Sequence, residues 1–207
     1  ESAKNIRSNW ENLWEECYAF ALPQRGGFIH EPIPGSRRNE RIYDATALDA
    51  VDQLAASMLG NLTPTWSQWF GLKPGPDLSD NEAQRLAPVL EIHRCYLDLI
   101  VGGTASISFE EAAPGGFSAF RFSAIPLSRV TLEEGESGYL DAVYRTLSLT
   151  AEQITERYPL AELSNDLIKK SQRDPQLTFK ILEAVAPEGL AHVYKACLIE
   201  NPDEPVL

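Results

Sequence analysis

Nothing in this chain has the spacing of a metal site. Its three histidines, His30, His93 and His192, stand isolated from one another, whereas a zinc centre draws its ligands from closely spaced pairs. The three cysteines, Cys17, Cys95 and Cys197, are far apart, odd in number and each set among apolar residues. That excludes a disulfide frame and reads as buried thiols in a reducing compartment. Glycines never gather ahead of a lysine and a hydroxyl residue at a helix start, so a phosphate-cradling loop is missing. Gly102-Gly103-Thr104 has no lysine and follows a predicted helix, which makes it a turn. No run approaches the ~18 apolar residues of a membrane span. No signal peptide is visible, and the chain opens on Glu1 without a methionine, as a trimmed piece would. Cations are scarce as well: 18 Lys and Arg against 30 Asp and Glu leave a formal charge of -12. A surface that wraps nucleic acid needs clustered cations to neutralise phosphates, and the acidity argues against that class. A surface past which DNA slides is not excluded, although solubility is the commoner reason for such acidity.

What is present is ample material for a core. A chain of 207 residues makes one domain or two small ones and buries roughly 70% of its unfolded surface. The best specified stretch runs from Arg38 to Leu72. Apolar residues at Ala45, Leu48, Val51, Ala55, Met58, Leu59 and Leu62 fall on one helical face. Asp44 is placed to cap its start, and Gly60-Asn61 to stop it. Three large aromatics, Trp66, Trp69 and Phe70, then follow a proline turn.

Upstream, Ser8-Asn9-Trp10-Glu11 has the form of a capping box. It predicts a helix with Trp10, Leu13, Trp14, Cys17 and Ala21 on one stripe, ending at Pro23. Residues 24–37 are an extended Gly/Pro loop, and Ser79-Asp80-Asn81-Glu82 opens a short helix to about Leu86. Glu91 to Val101 is helical, with Ile92, Cys95, Tyr96 and Leu99 inward. The period then changes from 3.6 to 2. Strands are expected at Thr104–Phe109, Phe120–Phe122, Val130–Leu132 and Tyr139–Arg145, the last two joined by a turn at Glu134–Gly138. Thr150-Ala151-Glu152-Gln153 is another capping box, starting a helix to Pro159. A second helix spans about Ala161–Ser171. Two alternating segments, Leu177–Val185 and Ala191–Ile199, close the chain around Pro187-Glu188-Gly189. Helices first, then a mostly antiparallel sheet with a helical insert, is an α+β chain.

The residues offer little chemistry. His93 and Cys95 lie about 200° apart around a helix, so they form no local nucleophilic dyad. The acids Glu133, Glu134, Glu136 and Asp141 are numerous enough to hold a cation, but charge on a hairpin tip is ordinarily just solvated. Arg37, Arg38 and Arg41 are the densest basic patch. With Trp66, Trp69 and Phe70, they are candidate subunit-contact residues, because interfaces favour large rigid aromatics and arginine. No catalytic, cofactor-binding or metal residues are assigned.

Several passages, in order, resemble one family. Trp14-Glu15-Glu16 through Ala21-Leu22-Pro23 is similar to its opening helix. Arg41-Ile42-Tyr43-Asp44 and Trp69-Phe70 bracket its most specific block. Leu97-Asp98-Leu99-Ile100 through Gly103-Thr104 resembles its passage from helix to strand. Phe120-Arg121-Phe122 through Ile125-Pro126-Leu127 looks like its next strand. Gly138 through Val143-Tyr144-Arg145, then Leu149-Thr150-Ala151 and Gln153, is similar to the passage after that. The family is that of the head-to-tail connector, or portal, proteins of short-tailed bacteriophages. Two departures stand out: the passage between Leu86 and Glu91 is shorter than in the family, and relatives continue well beyond Leu207.

The resemblance implies a fragment of the portal wing. Residues 1–101 would be its N-terminal helical part and 102–207 its β-rich part, with a helical insert at about 150–171; stem, clip and crown would lie outside this chain. It implies a homo-oligomeric ring, typically of twelve subunits, at one capsid vertex of the virion, assembled in the bacterial host cytoplasm. Such a ring passes double-stranded DNA non-specifically during packaging and ejection. It meets terminase, scaffold, capsid and tail or adaptor proteins, and works without catalysis, cofactor or membrane. Two other readings stay open on the residues alone. One is a non-viral acidic adaptor or oligomerisation domain; the other is a metal-dependent hydrolase using the acids from Glu133 to Asp141.

Overall fold

The computed structural model describes residues 2–29, 35, 42, 44–64, 89–111, 120–136, 138–159, 161, 163–189 and 191–199. Two compact units make up the chain: residues 8–128, and residues 129–207 together with 1–7. The chain is α+β, as its periodicities require, and among the described residues two sheets form, both antiparallel.

Helix α1 covers Ser2–Ala21. It does not begin at Ser8, because its first turns are tied down by tertiary contacts: Ala3 is buried, and Arg7 donates to the Val130 carbonyl at 2.7 Å and to Thr131 Oγ1 at 3.2 Å. Packing outweighs a local start signal. The expected stripe is also rotated. Trp10 and Leu13 are half exposed, whereas Tyr18 is fully buried. Its ring sits edge-on to Phe28 with centroids 4.9 Å apart, and Trp14 lies 5.6 Å from the same ring.

Helix α2 covers Thr46–Leu62. Asp44 Oδ1 accepts from the Thr46 N–H at 2.7 Å, and those bonds hold the Asp44 carboxyl below its ordinary range. Gly60-Asn61 does not stop the helix. Neither residue has a positive φ, and the Asn61 amide is satisfied inside the helix by the Ser57 carbonyl at 2.7 Å. Ala55 is the fully buried residue of α2, and Leu54 and Leu62 are exposed. The stretch expected to be a core helix is therefore buried along one narrow line. It packs on α3, Val89–Gly102, which ends as expected at Gly103 with φ of 74°, a conformation glycine adopts without strain. Strands β1, Ser106–Glu111, and β2, Phe120–Ile125, pair as a two-stranded sheet against α3.

In the other unit, β3 (Val130–Glu134), β4 (Leu140–Thr150), β5 (Thr178–Glu188) and β6 (Ala191–Leu198) form a sheet in sequential order. Between β4 and β5 come α4, Ala151–Arg157, and α5, Asn165–Arg173. The capping box at Thr150 is fully formed, with the threonine hydroxyl accepting from Gln153 N and the Gln153 side chain accepting from Thr150 N. One sheet face carries Leu147, Phe179, Ile181, Ala196 and Leu198. The insert lays Ile154, Tyr158 and Leu167 onto it as a single core. The Ser79 capping box lies outside the described residues.

Candidate functional site

Each unit is fastened around one buried carboxylate. In α3, Glu91, Cys95, Asp98 and Gly102 make polar contacts to other parts of residues 8–128 and are spaced four, three and four apart on one helical face. Glu91 Oε2 accepts from the Ala124 N–H on β2 at 2.7 Å, and Cys95 Sγ lies 3.8 Å from the Ser106 carbonyl on β1. The Gly102 carbonyl accepts from Trp14 Nε1 at 3.2 Å. Asp98 is almost wholly buried. Its carboxylate is gripped by two guanidinium nitrogens of Arg25, with Nε at 2.9 Å, and accepts from the Tyr18 hydroxyl at 3.1 Å. This face is rotated from the expected one; Leu99, placed inward by periodicity, is exposed. Burial, then the charge of Asp98 and its bond, push the Tyr18 hydroxyl far above the ordinary tyrosine range. Burial works against the charge on Arg25, but the bond and charge of Asp98 raise its pKa all the same.

In the sheet unit the carboxylate is Glu183, buried on β5. Arg145 is its cross-strand partner on β4, and Ala196 on β6. Tyr194, two residues before Ala196, shares that face. Four donors converge on it: the Tyr158 hydroxyl at 2.6 Å, the Tyr194 hydroxyl at 2.7 Å, Arg157 Nε at 2.9 Å, and Arg145 at 3.5 Å. Burial alone would raise the pKa of Glu183, but the tyrosine bonds and the Arg157 charge overcome it and hold the carboxyl below its ordinary value near 4.5. Burial and the bond to Glu183 push both tyrosines upward. Each carboxylate is buried and held by arginine and tyrosine donors of its own chain, and Glu183 is held in its charged form. These two clusters position backbone; they are not poised for acid–base chemistry.

Arg37, Arg38, Arg41, Trp66, Trp69 and Phe70 lie outside the described residues. The acids from Glu133 to Asp141 do not converge: Glu133 accepts from the Tyr144 hydroxyl at 2.8 Å, and Asp141 lies 3.3 Å from His192 Nε2. Among the described residues no three His, Cys, Asp or Glu are grouped to hold a metal, and no helix is long and apolar enough to cross a membrane. Burial raises the Cys95 thiol to about 11, which leaves it protonated and unreactive near neutrality. The cysteines are free and half-buried, not fully buried.

Periodicity alone misses Asp98 and Glu183, although each carries a signal. Glu183 is in phase with Phe179 and Ile181 on the apolar side of its strand. Asp98 sits three residues after Cys95, on the helical face that turns inward. Comparison with curated proteins gives no match. A family model described as bacteriophage head to tail connecting protein matches residues 1–197, nearly the whole α+β framework built around these two carboxylates. The chain therefore belongs to the bacteriophage head to tail connecting protein family.

Proposed function

We propose that this chain is part of a portal-type connector, a virion component at the junction of head and tail that meets capsid and tail proteins. The family match across residues 1–197 carries this reading. The ordered passages from Trp14 to Gln153 add the short-tailed phage type. On this reading the protein assembles as a homo-oligomeric ring, typically of twelve subunits, in the host cytoplasm. The ring sits at one capsid vertex, docks terminase and scaffold, and conducts double-stranded DNA during packaging and ejection. Residues 1–101 and 102–207 are the helical and β-rich parts of its wing. Its work is mechanical and needs no catalytic residue, a reading supported by two buried carboxylates engaged by arginine and tyrosine of the same chain. Family membership removes the ground for a non-viral adaptor, and the scatter of Glu133 and Asp141 onto different partners weighs against a metal hydrolase.

Arg37, Arg38, Arg41, Trp66, Trp69 and Phe70 are proposed as subunit contacts. Negative-stain images of the full-length protein should show rings with a central hole. A strictly monomeric full-length protein would overturn the reading. Trp69→Ala should weaken folding or ring assembly; normal assembly at unchanged stability would remove Trp69 from the contact.

A further inference from the structure

We propose that neighbouring subunits of the ring join head to tail through α5 of one copy and the β3–β4 hairpin tip of the next; this rests on the ring reading above. Helix α5 carries Lys169, Lys170 and Arg173 within five positions, all exposed. Among the described residues none of the three finds a side-chain hydrogen-bond or ion-pair partner, whereas Arg25, Arg94, Arg145, Arg157 and Lys195 are each paired with an acid. Leu167, buried in the core, fixes the roll of the helix. Lys169 lies two residues on, about 200° round, and Arg173 stands one turn beyond it on the same outer face. Cations in a last turn favour the helix dipole, but that does not call for three of them. Ile168 beside them is also exposed.

The hairpin tip has the opposite character. It is closed by the Gly135 N–H donating to the Tyr139 carbonyl at 2.9 Å and the Gly138 N–H donating to the Gly135 carbonyl at 3.0 Å. Glu134 and Glu136 are exposed on it. Tyr139 is 78% exposed and Leu140 57%, large apolar groups left in water beside two acids. An aromatic and a leucine suit a contact with Ile168 and the aliphatic stems of the lysines.

The two patches do not neutralise each other within one chain. Among the described residues no ion pair joins Lys169, Lys170 or Arg173 to Glu134 or Glu136. Complementary charge on two different elements of one chain makes a heterologous contact, the kind that closes into rings. A nucleic acid is the other taker for the cations. The net charge of -12 and the exposed tyrosine at the tip favour a second copy of the chain.

The test is charge exchange in the full-length protein, read by mass photometry and negative stain at low and high salt. The triple variant Lys169→Glu, Lys170→Glu, Arg173→Glu should raise the concentration needed for half assembly at least tenfold. The double variant Glu134→Lys, Glu136→Lys should do the same, and all five changes in one chain should restore rings. Added salt should weaken wild-type assembly. Where the triple variant lowers the melting temperature, Tyr139→Ser gives an independent readout and should also impair assembly. Rings unaffected by either reversal overturn this contact and leave the ring reading standing. A wild type that never forms rings overturns both. Reversal at α5 that spares rings but abolishes retention of double-stranded DNA assigns the cations to nucleic acid and likewise overturns the contact.

Discussion

Arg25 and Asp98 form an ion pair inside the unit of residues 8–128, with the arginine side chain 15% exposed and the aspartate 1%. Breaking such a pair from one side strands a buried charge, at a cost of about 3–5 kcal/mol. Arg25→Met is expected to lose that much in urea denaturation at neutral pH. Asp98→Asn in the Arg25→Met background should regain about half of it, because the neutral amide carries no stranded charge and can still accept from Tyr18. Equal stability of the two variants would show that the pair contributes packing alone.

Glu183 makes stability depend on acid. Its folded pKa is depressed, so its contribution is present above the unfolded value near 4.5 and is lost as pH falls through the folded value. At pH 7, Glu183→Gln is expected to cost about 2–4 kcal/mol, since it removes a charge held by two arginines and two tyrosines. Below pH 4.5 the wild type should lose stability more steeply than the variant, and the gap between them should narrow. Parallel curves for wild type and Glu183→Gln from pH 7 to pH 3 would contradict the assignment.

Local signals are legible wherever they coincide with packing. Thr150 and Gln153 cap α4 as their spacing requires, each side chain bonding the other's backbone N–H. Gly103 and Gly189 turn where the period breaks, each with a positive φ. The alternating segments Leu177–Val185 and Ala191–Ile199 are strands as expected, with Phe179, Ile181 and Ala196 in the core. Failures share one cause. Ser8 has the form of a helix start, yet Arg7 and Ala3 are fixed from outside the helix and carry it further back. Periodicity assigns acids to the outside, and so it turns α3 away from Asp98 and Glu91, whose partners, Arg25 and the Ala124 N–H, are 73 and 33 positions distant. A polar inward face cannot be seen without knowing what meets it. The two clusters that hold the units together are therefore the least legible part of the chain, and the family likeness the most.

The cap at Thr150 gives a smaller, local prediction. Its hydroxyl accepts from the Gln153 N–H at 3.4 Å, and the Gln153 side chain answers at 3.0 Å. Thr150→Ala should cost ~1 kcal/mol in thermal or urea unfolding. The partner variant Gln153→Ala should cost less, since it leaves the threonine bond in place. A neutral Thr150→Ala would mean that Ile154 and the sheet hold α4 without its cap.

Two helical glycines should respond to alanine in opposite directions. A Cβ at Gly102 would meet Leu127 Cδ2 at 2.6 Å and the Tyr18 hydroxyl at 2.9 Å. That hydroxyl is committed to Asp98 and cannot simply swing away. Gly102→Ala should therefore cost about 1–3 kcal/mol through overpacking. A Cβ at Gly60 meets nothing within 4 Å, and the residue lies inside α2 with no positive φ. Gly60→Ala should then stabilise the chain by about 0.5–1 kcal/mol, from helix propensity and a smaller unfolded-state entropy. Were Gly60 a left-handed helix stop, as its pairing with Asn61 suggests, alanine there would destabilise instead. Melting temperatures of the two variants thus decide both the close approach of α3 to Tyr18 and the true end of α2.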